Sequence, residues 1–140
     1  MILAIDYATC MGVAWTFDSS NVLFSSIKGS QFEHKDFLDS IITEDCTVYV
    51  EELNFFRNAK TVRSLLLKTG YVVYSSSRTP IFVKTKLPRK HLFAKGKEEV
   101  YMLVSAYASL KNNDESDAIA LLLYAIGKQL SEVKLERWTK

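Results

Sequence analysis

The chain has 140 residues, 48% hydrophobic and 24% charged, a composition that fits a single globular domain over 1–140 with its own core. No apolar run nears the roughly 20 residues needed to cross a bilayer, which argues against a membrane protein. The net charge of +2 hides a segregation: between Leu53 and Lys97 there is no Asp or Glu, while Arg57, Lys60, Arg63, Lys68, Arg78, Lys84, Lys86, Arg89, Lys90, Lys95 and Lys97 supply eleven positive charges.

Ile2 to Asp6 is an apolar run that ends in a charge. Gly12 to Phe17 reads as a second strand and Val22 to Lys28 as a third, with Asp18-Ser-Ser-Asn21 turning the chain between them. Strands this close in sequence predict an antiparallel meander. Glu33 to Ile42 places Phe37, Leu38, Ile41 and Ile42 at helical spacing. Thr47 to Val50 is β-branched and aromatic, a fourth strand closed by Glu51.

Asn58 to Lys68 reads as a helix with Val62, Leu65 and Leu66 on one face and Gly70 as its stop. Tyr71 to Tyr74 is a fifth strand, and Ile81 to Val83 is too short to assign. Lys84 to Lys97 holds Pro88 and Gly96 and reads as a mobile basic loop. Glu98 to Leu110 is a helix with Val100, Leu103, Val104 and Tyr107 on one side. Ser116 to Leu130 is a last, buried helix with Asp114, Glu115 and Asp117 at its start. The fold class is α/β: a five-stranded mixed sheet, three antiparallel strands then parallel strands, flanked by helices. Met11, Met102, Trp15 and Trp138 read as packing.

Four carboxylates stand out. Asp6 ends the first strand, Glu51 ends the fourth, and Asp114 and Asp117 share one face at a helix start. Each alone has an ordinary reading, as a turn former, a cap or a surface charge. If the first and fourth strands are parallel neighbours, their carboxyl ends lie side by side, where α/β sheets place their sites, and the four acids could converge there. Oxygen-liganded divalent cations would offset their repulsion. An acidic cluster beside a long basic segment fits an enzyme that holds a polyanion and cuts it with metal ions. Glu52 competes with Glu51 as ligand, but strand alternation sends only one toward the site. Cys10 and Cys46 form no Cys-x-x-Cys pattern and read as reduced thiols, not a zinc site.

Three segments resemble the RuvC family of Holliday-junction resolvases, within the ribonuclease H-like superfamily. The first is a strand ending in Asp, a turn and a Gly-containing strand, here Ile-Leu-Ala-Ile-Asp-Tyr-Ala-Thr-Cys-Met-Gly-Val-Ala over 2–14. The second is strand, Glu, an aromatic stretch, a basic residue and Asn-Ala, here Val-Glu-Glu-Leu-Asn-Phe-Phe-Arg-Asn-Ala over 50–59. The third is Asp-x-x-Asp-Ala running into an apolar helix, here Asp114 to Ala118. The turn after Asp6 departs from the family, with Tyr7-Ala8 where a glycine is usual. The shortness of the chain resembles a compact phage- or organelle-type version.

The resemblance implies a ribonuclease H-like fold and a Mg²⁺- or Mn²⁺-dependent endonuclease that nicks four-way DNA junctions symmetrically. Asp6, Glu51, Asp114 and Asp117 would hold two ions per site about 4 Å apart. Lys97 would face the DNA near the scissile phosphate, and Phe55 or Phe56 would wedge against the junction centre. Arg57, Lys60, Lys84, Lys86, Arg89, Lys90, His91 and Lys95 are further DNA-contact candidates from the basic segment. Two symmetric cuts imply a homodimer, with Val62, Leu65 and Leu66 as candidate interface. Neither a membrane nor a small-molecule cofactor is expected. The expected location is the cytoplasm, or a nucleoid for a phage or organelle version. The alternatives are an RNA-processing nuclease like the YqgF group and a non-catalytic nucleic-acid-binding module.

Overall fold

β1 (Ile2–Tyr7), β2 (Cys10–Thr16) and β3 (Asn21–Lys28) form the antiparallel meander that their short spacing predicts. Asp18 builds the turn between β2 and β3, its Oδ1 accepting from the backbone N–H groups of Ser20 and Asn21. The computed structural model of the chain describes residues 1–8, 10–43, 45–52, 70–74 and 80–139. The expected helix over 58–68, with Val62, Leu65 and Leu66, lies outside them. So do Phe55, Phe56, Arg57 and Lys60.

β4 (Thr47–Glu51) pairs parallel to β1, from Ile2 opposite Thr47 to Ile5 opposite Val50. β5 (Ile81–Val83) extends the sheet parallel to β4, and β6 (Lys134–Arg137) adds parallel to β3. The order is β5-β4-β1-β2-β3-β6. The sheet is thus mixed as expected, with six strands rather than five. Tyr71 to Tyr74 is not a strand but part of a π-helical turn, Gly70–Tyr74. Strand propensity reflects how well a side chain fits a half-buried surface, and Val72 meets that need by packing into the core under the first helix.

α1 (Gln31–Ile41) opens with a capping box in which Ser30 and Glu33 bond each other's backbone. The basic segment carries α2 (Lys86–His91) where a loop was expected. Pro88 sits in its first turn, where a missing N–H costs no helical bond. α3 (Lys97–Ser105) buries Val100 and Val104, while Leu103 and Tyr107 are exposed, as is Met102, which therefore does not pack. α4 (Asn113–Ile126) begins and ends earlier than its apolar stretch implies. Asn112 caps it by accepting from the Glu115 N–H, and Gly127 stops it at φ 69°.

Strand alternation divides the core. Leu3, Ile5, Val13, Trp15, Val48 and Val50 face α1, with Trp138 and Phe37 stacked edge-on nearby. Ala4, Ala14 and Phe24 face α2, α3 and α4. Small side chains on this second face let α4 lie close over β1 and β2.

A candidate metal centre at the ends of two parallel strands

The parallel register carries Asp6 and Glu51 one residue beyond the paired Ile5 and Val50, to adjoining strand ends. Asp6 is two residues on from Ala4, and Glu51 two on from Tyr49, so both point to the face covered by α4. From above, Asp117 comes down from the second turn of α4. Asp6, Glu51 and Asp117 each offer a carboxylate oxygen, all within 4.8 Å of one another. Glu52 is exposed, and its backbone N–H is used in a bond to the carbonyl of Val83. Glu51 is therefore the glutamate of the site.

Asp114 lies outside this triad but close to it. Gly12, on β2, makes the approach possible: a Cβ there would overlap the backbone carbonyl of Asp114 and meet its Cβ at 3.0 Å. Only glycine admits the helix start at this depth.

The charges oppose one another. Burial, then the charges of Glu51, Asp117 and Asp114, and a hydrogen bond with Glu51 push the Asp6 carboxyl well above the usual range. Asp117 is raised to about 6, chiefly by burial and Glu51, with Lys97 and Arg89 pulling the other way. Lys97 Nζ stands 3.7 Å from Asp117 Oδ2, and its side chain is half exposed. Arg89 shares a small cavity with Glu51 and Asp117.

Clustered carboxylates, of which Asp6 and Asp117 are held above their usual range, beside a small cavity, fit a hard divalent cation that takes oxygen ligands. The donor set contains only oxygen, which fits Mg²⁺ or Mn²⁺ better than zinc.

The other candidates fall in two groups. Lys84, Lys86, Lys90, Lys95 and Lys97 are exposed, and of these Lys97 reaches Asp117. His91 instead bonds the carbonyl of Lys128 through Nε2 at 2.8 Å and packs against Tyr124.

The sequence reading missed the buried support of the site. Glu115, fully buried between Asp114 and Asp117 in the chain, is gripped by Arg137 of β6 through two bonds of 2.6 and 2.7 Å. It also accepts from Ser26 Oγ and the Lys111 N–H. Burial pushes the Glu115 carboxyl up, but these bonds outweigh it and hold it below the usual range. The guanidinium lies over the Phe24 ring, 4.9 Å from its centre. The signal in the sequence is a lone Arg in the alternating Lys-Leu-Glu-Arg-Trp segment.

No family model matches the chain, and no curated protein sequence is significantly similar to it. Solved structures are. RuvC of Thermus thermophilus in complex with a Holliday junction substrate superposes with a TM-score of 0.68 at 18% identity, over 90% of this chain and 94% of that one. A second Thermus thermophilus RuvC structure gives 0.63, also at 18%, over 89% and 93%. Over the nine-tenths of the chain that superposes, it has the fold of RuvC.

Proposed function

We propose that the chain is a metal-dependent endonuclease that resolves four-way DNA junctions by paired, symmetric nicks. The observation that carries this reading is the convergence of Asp6, Glu51 and Asp117 at adjoining strand ends, with Lys97 and Arg89 against them. A catalytic carboxylate cluster bordered by cations suits a phosphodiester substrate, since the acids hold metal and the cations receive phosphate. The RuvC fold supports the junction as substrate.

Asp6, Glu51 and Asp117, with Asp114 beside them, would hold the ions, two per site. Bound there, Mg²⁺ or Mn²⁺ supplies activation of the attacking water and stabilisation of the leaving 3′ oxygen, giving a 5′-phosphate. Lys97 offsets charge on the phosphate from the exposed side of Asp117. No protein nucleophile is needed. Lys84, Lys86, Arg89, Lys90 and Lys95 line the approach of the DNA backbone, and Phe55, Phe56, Arg57 and Lys60 extend it in our reading. Paired cuts require two sites at a fixed separation, hence a homodimer through Val62, Leu65 and Leu66.

The test is cleavage of a labelled four-way junction, a matched linear duplex and a structured RNA, with Mg²⁺ or EDTA, by wild type and Asp6→Asn. Symmetric, metal-dependent nicks in the junction alone, lost in the variant, are expected. Cleavage of the RNA in place of the junction would move the chain to RNA processing. Binding without cleavage would make it a non-catalytic module. Among the described residues, no helix is long and apolar enough to cross a membrane.

A further inference from the structure

α2 ends in a Schellman motif. The Ala94 N–H bonds the carbonyl of Arg89 at 2.9 Å, and the Phe93 N–H bonds that of Lys90 at 3.1 Å. The residue at the left-handed position of this motif is usually glycine, because a Cβ is strained there. Here it is Phe93, at φ 59°. The same residue is 83% exposed, the most exposed of the large apolar side chains among the described residues. Two unfavourable features, a strained backbone and an aromatic ring in water, thus coincide at one position. Neither does anything for the fold.

The ring has a particular setting. Phe93 lines an open hollow of about 670 Å³ together with Lys86, Arg89, Lys90 and Lys95, and no acidic side chain lines it among the described residues. Arg89 also lines the cavity of Glu51 and Asp117, so the hollow adjoins the carboxylate cluster. Arg89, Lys90 and His91 in the last turn suit the helix dipole, which gives those residues a structural role. The aromatic has none.

The geometry points to Phe93 as a stacking platform for a nucleobase, with Lys86, Lys90 and Lys95 holding the phosphates on either side. An aromatic face among cations that follow a backbone is how proteins bind single-stranded or splayed nucleic acid. The ligand class is therefore an unpaired or unstacked base of a strand that runs on from the carboxylate site. A purely apolar partner surface would not bring four cations with it. The inference deepens the nucleic-acid reading above and rests on it, but it needs no catalysis.

The experiment measures binding of the full chain in EDTA, by fluorescence anisotropy, to a labelled 12-nucleotide single strand and to a four-way junction at several salt concentrations. The variants are Phe93→Gly, Phe93→Leu, Phe93→Trp and the pair Lys90→Ala with Lys95→Ala. Phe93→Gly removes the backbone strain, so its Tm is expected to equal or exceed that of wild type. Its affinity for the single strand is expected to fall about tenfold with the salt dependence unchanged. Phe93→Trp should retain affinity and Phe93→Leu lose it. The lysine pair should flatten the salt dependence. Unchanged binding by Phe93→Gly, or wild-type affinity in Phe93→Leu, would overturn the stacking role and leave the nuclease reading intact. Absence of any binding by wild type would overturn both.

Discussion

Gly12 of β2 lies directly beneath the backbone carbonyl of Asp114, so a strand residue sets how deep the carboxylate-bearing helix can sit. Gly12→Ala forces α4 outward by backbone displacement, since the obstacle is a carbonyl group and not a flexible side chain. Overpacking of this kind costs about 1–3 kcal/mol. The outward shift also carries Asp117 away from Asp6 and Glu51. We expect a Tm lowered by several degrees and junction cleavage reduced at least tenfold, roughly the rate cost of a barrier raised by ~1.4 kcal/mol. Thermal melts and single-turnover cleavage check both.

The acid cluster makes the metal-free protein pH-sensitive in a defined direction. Asp6 and Asp117 both have raised pKa values in the folded chain. The folded state therefore holds protons more tightly than the unfolded one, and stability falls as pH rises from the ordinary carboxylate range through the raised values. For Asp117, moving from 3.8 to about 6 corresponds to a loss of about 3 kcal/mol on full ionisation. In EDTA, the Tm should be higher near pH 5 than near pH 7.5. Mg²⁺ should reverse this, adding ~2.7 kcal/mol at a hundredfold excess over its Kd, and more at pH 7.5 than at pH 5. Asp6→Asn should raise the metal-free Tm at pH 7.5 and abolish the response to Mg²⁺. Melts across pH with and without Mg²⁺ decide it.

What the sequence disclosed and what it hid divide on a physical line. The meander and the carboxylates that close β1 and β4 follow from local patterns: alternation, an apolar run and the charge that ends it, whereas the parallel pairing of β1 with β4 is a long-range contact that only the structure supplies. The period of a strand says that only one of Glu51 and Glu52 can face the site, and the β1–β4 register with the exposure of Glu52 identifies it as Glu51. The three-residue β5 is paired only through β4 and has no pattern long enough to read. α2 was hidden because Pro88 looks like a breaker unless its place in the first turn is known. The Glu115–Arg137 pair joins residues that are 22 apart in sequence but meet only through the β3–β6 pairing. No local rule encodes such a contact.

Removing one side of that pair should be severe. Glu115 is fully buried and held by both guanidinium nitrogens. Arg137→Met leaves a buried carboxylate without its counter-charge, at a cost of about 3–5 kcal/mol. A Tm drop of roughly 10 °C or more is expected. Adding Glu115→Gln to Arg137→Met removes the stranded charge and should recover part of the loss. The double variant would then be more stable than the single one, a non-additivity that a double-mutant cycle measures directly.

Lys97 offers the opposite case. Its contact with Asp117 is 3.7 Å long and half exposed, so the pair adds less than about 1 kcal/mol to stability. Lys97→Ala should leave the Tm nearly unchanged. In the proposed reaction, however, the ammonium sits where phosphate charge gathers, and the loss of one such group costs about 100-fold in rate. Cleavage of a bound junction should therefore slow by about that factor while junction affinity changes only a few-fold. Lys97→Arg, which keeps the charge but not its compact shape, should recover a portion of the rate. Single-turnover rates at saturating enzyme separate the two quantities. A loss of affinity with no loss of rate would make Lys97 a contact to the DNA backbone rather than a group acting at the cut.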